Sequence, residues 1–135
     1  MTQRKGVVVA AFALLIAAQA VTSTLISSPA HVAQVTVDNQ TGYDLHLDLG
    51  GYGSGGAIGL GTVTQHCQLT FHEVLDPGTS WHFSLGAQSA GTDVVTVSRD
   101  ELERAGWRVV IPAEVGDRLA ADGAPRPPVK SCNAP

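Results

Sequence analysis

Between Lys5 and Arg99 the chain has no lysine or arginine. Six acids (Asp38, Asp44, Asp48, Glu73, Asp76 and Asp93) stand in residues 6–98 against no base, a local charge of −6. The later bases, Arg99, Arg104, Arg108, Arg118, Arg126 and Lys130, are matched by six acids in residues 99–135. Neutralising phosphates takes clustered Lys or Arg. The sequence therefore sets nucleic acid aside as a partner, and it argues against an anionic lipid surface for the same reason. The same gap disarms the glycine-rich run GGYGSGGAIGLG at residues 50–61, which has no nearby Lys or Arg and leads into a strand. A phosphate cradle needs a helix there and usually a lysine. Nor is Ser54 a nucleophile elbow, because Tyr52 stands at the first glycine position of G-x-S-x-G. Aromatic residues make up only 5% of the chain while glycine contributes 15 residues. That balance favours short strands and turns over a large helical core.

One compact domain with appendages fits 135 residues. MTQRK is a short basic start, and GVVVAAFALLIAAQA is an uncharged apolar run ending in the small-x-small triplet Ala18-Gln19-Ala20. This predicts a signal peptide over residues 1–20. The alternative is a membrane anchor over residues 1–26, the membrane then being engaged only through this uncleaved segment. In either case Arg4 and Lys5 hold the N-terminus inside, and the rest of the chain is expected to be secreted or on the outer face of the cell membrane. No cysteine sits near the end of the apolar run and no twin arginine precedes it, so lipobox attachment and twin-arginine export are not indicated.

Cys67 and Cys132 are the only cysteines. An even pair in an oxidising compartment predicts a disulfide. Free thiols and an intermolecular bridge are the competing readings. A Cys67–Cys132 bond would staple the tail APRPPVKSCNAP to the domain.

Residues 21–33 read as a linker, and from Gln34 the pattern turns to period two. Val35 and Val37 alternate with Thr36 and Asp38, and Asn39-Gln40-Thr41-Gly42 supplies a turn. Tyr43, Leu45, Leu47 and Leu49 share one face of the next strand, with Asp44, His46 and Asp48 on the other. Short strands follow around Ile58 to Val63, over CQLTF, over WHFSL and over DVVTV. In CQLTF the alternation predicts Cys67, Leu69 and Phe71 toward the core, with His66 and His72 turned outward. Ser98-Arg99-Asp100-Glu101 fits a capping box opening a short helix near residues 99–105. WRVVIP returns to strand, and Pro112, Glu114, Val115, Leu119 and Gly123 mark a second short helix near residues 113–122. The expected fold is mainly β, a single antiparallel β-sandwich of about seven short strands, Ig/transthyretin-like. It occupies residues 34–124, with one or two short C-terminal helices, an N-terminal apolar signal or anchor helix, and a proline-rich tail over residues 125–135.

VDNQTGYDLHLDL, IGLGTV, TFHEVLDPGTSWHFSL, VSRDELERAGWRVVIPAEV and RLAADGAPRPP carry a resemblance to small exported actinobacterial β-sandwich proteins, a group of uncharacterised function. Its pattern is an asparagine turn before an aspartate-rich strand, a leucine-glycine strand, a D-x-G-x-x-W-x-F strand and an A-G-W-R-V-x-x-P motif. The resemblance covers residues 35–127 and implies a small sandwich without catalytic activity. His66, Cys67, His72, His82 and Cys132 lie outside the pattern.

Asp44-x-His46-x-Asp48 is a possible ligand or metal face, since alternate strand residues sit about 6.6 Å apart on one side and imidazole with carboxylate suits zinc. An ordinary solvated sheet face is the competing reading, because no second strand evidently donates a further ligand. Hydroxyl catalysis needs serine, histidine and carboxylate together, and no motif singles out any of His31, His46, His66, His72 or His82. Trp81 and Trp107 each follow a turn and start an apolar strand, which places them in core or rim packing. Asn39-Gln40-Thr41 matches the glycosylation sequon. The expected function is an exported, non-enzymatic binding or interaction module of the cell envelope or extracellular space. It would meet an unidentified protein or envelope partner, without cofactor, using strand edges, loops or the DLHLD face. The alternative is a metal- or pH-responsive exported protein using the histidines of the acidic half.

Overall fold

The computed structural model describes residues 30–53, 55–88 and 92–132. The expected signal or anchor segment lies outside them, as does most of the expected linker. Among the described residues no helix is long and apolar enough to cross a membrane.

The period-two segments form seven strands: β1 (His31–Asn39), β2 (Leu45–Gly50), β3 (Ile58–Val63), β4 (Gln68–Leu75), β5 (Ser80–Gly86), β6 (Thr92–Ser98) and β7 (Arg108–Ile111). Two short helices, α1 (Arg99–Arg104) and α2 (Ala113–Ala121), flank β7. The strands make a three-stranded sheet in the order β4-β1-β7 and a four-stranded sheet in the order β3-β2-β5-β6. β1 begins at His31, so three residues read as linker are already strand.

One pairing departs from the antiparallel expectation. β1 runs antiparallel to β4 but parallel to β7, with Val37 opposite Val109 and Asn39 opposite Ile111. The Gly106-Trp107 step leads from the end of α1 into β7. Gly106 and Trp107 both take left-handed backbone, at φ 67° and 61°. Trp107 N–H donates to Leu102 O at 2.7 Å, closing the helix end one residue before β7 begins.

The alternation places the core as expected. Leu45, Leu47 and Leu49 of β2 and Trp81, Phe83 and Leu85 of β5 are fully buried. They share one apolar cluster with Val35 and Val37 of β1, Ile111 of β7, Leu102 of α1 and Val115 and Leu119 of α2. Each such side chain stabilises the fold by about 1.5–3 kcal/mol relative to exposure. Trp107 is half-buried, packs 5.8 Å from Trp81 between ring centroids, and carries the Arg99 guanidinium over its ring. At Gly51, where β2 leaves its sheet, a Cβ would lie 2.3 Å from Ser80 O, so only glycine fits there.

α1 carries the capping box expected of S-x-x-E. Ser98 Oγ accepts from Glu101 N–H at 3.2 Å, and Glu101 Oε2 accepts from Ser98 N–H at 2.9 Å. The Ser98 N–H, and after it the Ser98 hydroxyl donating to the same Oε2 at 2.8 Å, hold the Glu101 carboxyl below its ordinary value. The Ser98→Ala variant is expected to lose about 1 kcal/mol of stability in urea unfolding.

Candidate functional site

The corner between β1 and β2 is built on a buried asparagine. Asn39 Nδ2 donates to Tyr43 O at 2.8 Å, Val63 O at 3.1 Å and Thr64 O at 3.2 Å. Its Oδ1 accepts from Thr41 N–H at 3.0 Å and Thr41 Oγ1 at 2.7 Å. Both amide hydrogens are thus committed to carbonyls, so in the folded chain the sequon at Asn39 offers no nitrogen for a glycan. Against this corner sits the turn Thr64–Cys67, closed by Cys67 N–H to Thr64 O at 3.1 Å. His66 is its third residue at φ 55°, a place where such turns ordinarily use glycine or asparagine. The His66 N–H donates to Thr41 O at 3.1 Å and ties the two turns together.

The C-terminal tail is drawn over the same corner. Tyr43 Oη donates to Ala124 O at 3.1 Å and Gln65 Nε2 to Pro128 O at 2.8 Å. Lys130 Nζ meets Asp44 Oδ2 at 2.5 Å. Cys67 and Cys132 are disulfide-bonded, with Cα atoms 5.3 Å apart. Between tail and turns lies an open cleft of about 340 Å³. Thr41, Gly42 and His66 of the two turns line it together with Gly116 and Asp117 of α2, and the tail supplies Arg126. Gly116 lets α2 approach, since a Cβ there would stand 3.3 Å from Thr41 Cβ.

No family model, curated protein or solved structure matches the chain.

The three residues of the expected DLHLD face are divided in their contacts. His46 and Asp48 lie beside one another on β2, with His46 Nε2 3.7 Å from Asp48 Oδ1. Asp44 precedes the strand, and its carboxylate is engaged by Lys130 and by the Gln65 N–H at 3.1 Å. A metal drawing on all three residues would have to displace Lys130. Among the described residues no group of three or more His, Cys, Asp or Glu is placed to hold a metal ion. A second hollow of about 320 Å³ takes in Asp44 and His46 with Thr62, Gly86 and Gln88.

Burial alone would raise the Asp44 carboxyl, but the Lys130 bond, the Gln65 N–H and the Lys130 charge together hold it below its ordinary value of 3.8. A depressed carboxylate stabilises the fold above its unfolded value, and that contribution is lost as pH falls through the folded one. Below about pH 4 the tail is therefore expected to loosen. Hydrogen exchange across residues 126–132 reads this, and the Lys130→Met variant is expected to show a weaker acid dependence.

The outward turn of His66 and His72 is as expected, both being exposed. Cys67 is buried, while Leu69 is 41% exposed. Leu69 pairs with the fully buried Val37 and so faces inward, but β4 is a sheet edge and nothing covers the residue there. Sequence reading missed a hydroxyl–imidazole chain on the outer face of the four-stranded sheet. Ser80 Oγ lies 3.3 Å from His82 Nε2, and His82 Nδ1 lies 3.1 Å from Thr96 Oγ1. The S-x-H spacing in the sequence signalled the first contact, whereas the second needed the β5–β6 register. The cleft itself had no signal in any single segment.

Proposed function

We propose that the chain is an exported, non-enzymatic binding module of the cell envelope or extracellular space, of the small actinobacterial sandwich type, and that the cleft at the asparagine corner is where it binds. The Ig/transthyretin-like sandwich is our reading of the two sheets sharing one core. The observation that carries the function is the fastened tail. A segment with little apolar surface of its own is fixed by a disulfide, an ion pair and two side-chain hydrogen bonds so that it walls an open cavity. A wall fixed in advance leaves less ordering to be done on binding, which favours affinity. The volume falls in the range of small-ligand sites. The disulfide is compatible with an oxidising, extracellular setting.

Mass spectrometry of protein from the producing cells, intact and after thiol labelling, tests the export. The expected result is a chain in the medium or envelope, with no labelled thiol. A cytoplasmic chain with two labelled thiols overturns the reading. Surface crosslinking of the same cells tests the binding: a defined partner supports it, and background alone opposes it.

A further inference from the structure

The cleft holds two opposite charges that do not neutralise each other. Arg126 of the tail and Asp117 of α2 both line it and both are exposed. Among the described residues neither makes an ion pair. The other arginines behave differently: Arg99 meets Asp76 and Glu103, Arg108 meets Asp38, and Arg118 meets Asp93. Arg104 Nε donates to the backbone carbonyl of Asp100. Arg126 alone among the arginines of residues 99–132 has neither kind of contact.

His66 is the second observation. Among the described residues three non-glycines hold positive φ: His66, Glu73 and Trp107. Trp107 closes a helix, and Glu73 lies within a strand. His66 alone of the three lines the cleft. A bulky side chain in this region costs on the order of 1 kcal/mol, and glycine would relieve it. The imidazole is thus kept at some expense in the lining of the cleft, its Nε2 3.9 Å from where a Cβ on Gly42 would stand.

We infer that the cleft binds a small zwitterion, an amino acid or short peptide carrying both carboxylate and ammonium. Arg126 takes the carboxylate, Asp117 takes the ammonium and His66 adds a hydrogen bond. A guanidinium matches a carboxylate with paired donors, and a lone carboxylate is the natural partner of an ammonium. A ligand with one charge would satisfy one wall and leave the other facing water. The inference rests on the binding-module reading and names the ligand class of the same site.

The test is an amide NMR titration of the full chain, disulfide intact, with glycylglycine, acetate and methylammonium as separate probes. Glycylglycine is expected to shift Gly42, His66 and Gly116 and to bind at least about tenfold tighter than either single-charge probe. Arg126→Ala is expected to weaken it about tenfold or more, and Asp117→Asn to weaken glycylglycine while leaving acetate unchanged. His66→Gly separates binding from folding, because its Tm should hold or rise while affinity falls. Glycylglycine binding no tighter than acetate, or unaffected by Arg126→Ala, overturns the zwitterion site. If a surface partner is still captured by wild type and by Arg126→Ala, that failure is confined to this inference. Loss of both results removes the binding-module reading too.

Discussion

Replacing Asn39 with alanine is expected to lower stability by about 4 kcal/mol, the upper end of what single substitutions do. The side chain is fully buried and joins three carbonyls to the Thr41 N–H and hydroxyl. Alanine would leave those groups without their partner in a place water reaches poorly, and each such orphan costs about 1–3 kcal/mol. Asn39→Asp is the sharper variant, because it keeps the shape and changes the chemistry. An ionised carboxylate would face the oxygens of Tyr43, Val63 and Thr64 with nothing to donate. Its folded-state pKa would rise, so this variant should gain stability as pH falls, opposite in sign to the Asp44–Lys130 contact. Urea unfolding of wild type, Asn39→Ala and Asn39→Asp at neutral and mildly acidic pH reads both effects. A loss below about 1 kcal/mol for alanine would mean that the corner is held by the core alone.

The asparagine shows where the sequence was legible and where it was not. Asn39-Gln40-Thr41-Gly42 read as a turn because those residue types accept turn geometry, and the chain does turn there. That the first of them is buried depends on Val63 and Thr64, which arrive about two dozen residues later. Local pattern carries no such information. The same split runs through the fold. Alternation located Leu45, Leu47, Leu49, Trp81, Phe83 and Leu85 in the core, because side-chain period is a property of the strand itself. It could not tell that β4 ends up at an edge, which is why Leu69 faces inward and stays uncovered. The parallel β1–β7 pair was hidden for a related reason: it joins Thr36–Asn39 to the four residues Arg108–Ile111, which lie far apart in sequence.

The cleft was the least legible feature. Its walls come from the asparagine turn, the His66 turn, α2 and the tail, brought together by contacts spanning 63 to 86 positions. The cysteine pair was the one long-range constraint readable in advance, because an expected export and an even count point to a bond without geometry. It secures the segment that carries Arg126, so cleft and bond are one construction.

Cys132→Ser is accordingly expected to act twice, on global stability and on the cleft. The bond joins positions 65 apart, and closing a loop of that length restricts the unfolded chain by about 4 kcal/mol. For a domain of this size the Tm should fall by on the order of 20 °C. Deleting residues 125–135 in a Cys67→Ser background removes the bond together with the Gln65–Pro128 and Asp44–Lys130 contacts. Those contacts are partly exposed and each contributes about 1 kcal/mol or less. Without the bond the tail has little to hold it, so they should already be mostly lost in Cys132→Ser, and the two variants should melt within a few degrees of each other. The local consequence follows from the same reasoning. Cys132→Ser should also lose the part of the acid dependence due to Asp44–Lys130, since Lys130 is no longer kept beside Asp44, and exchange across residues 126–132 should approach that of a free chain. If exchange there stays slow and the acid dependence persists, the tail is docked by its own contacts, and the disulfide only restrains the unfolded state.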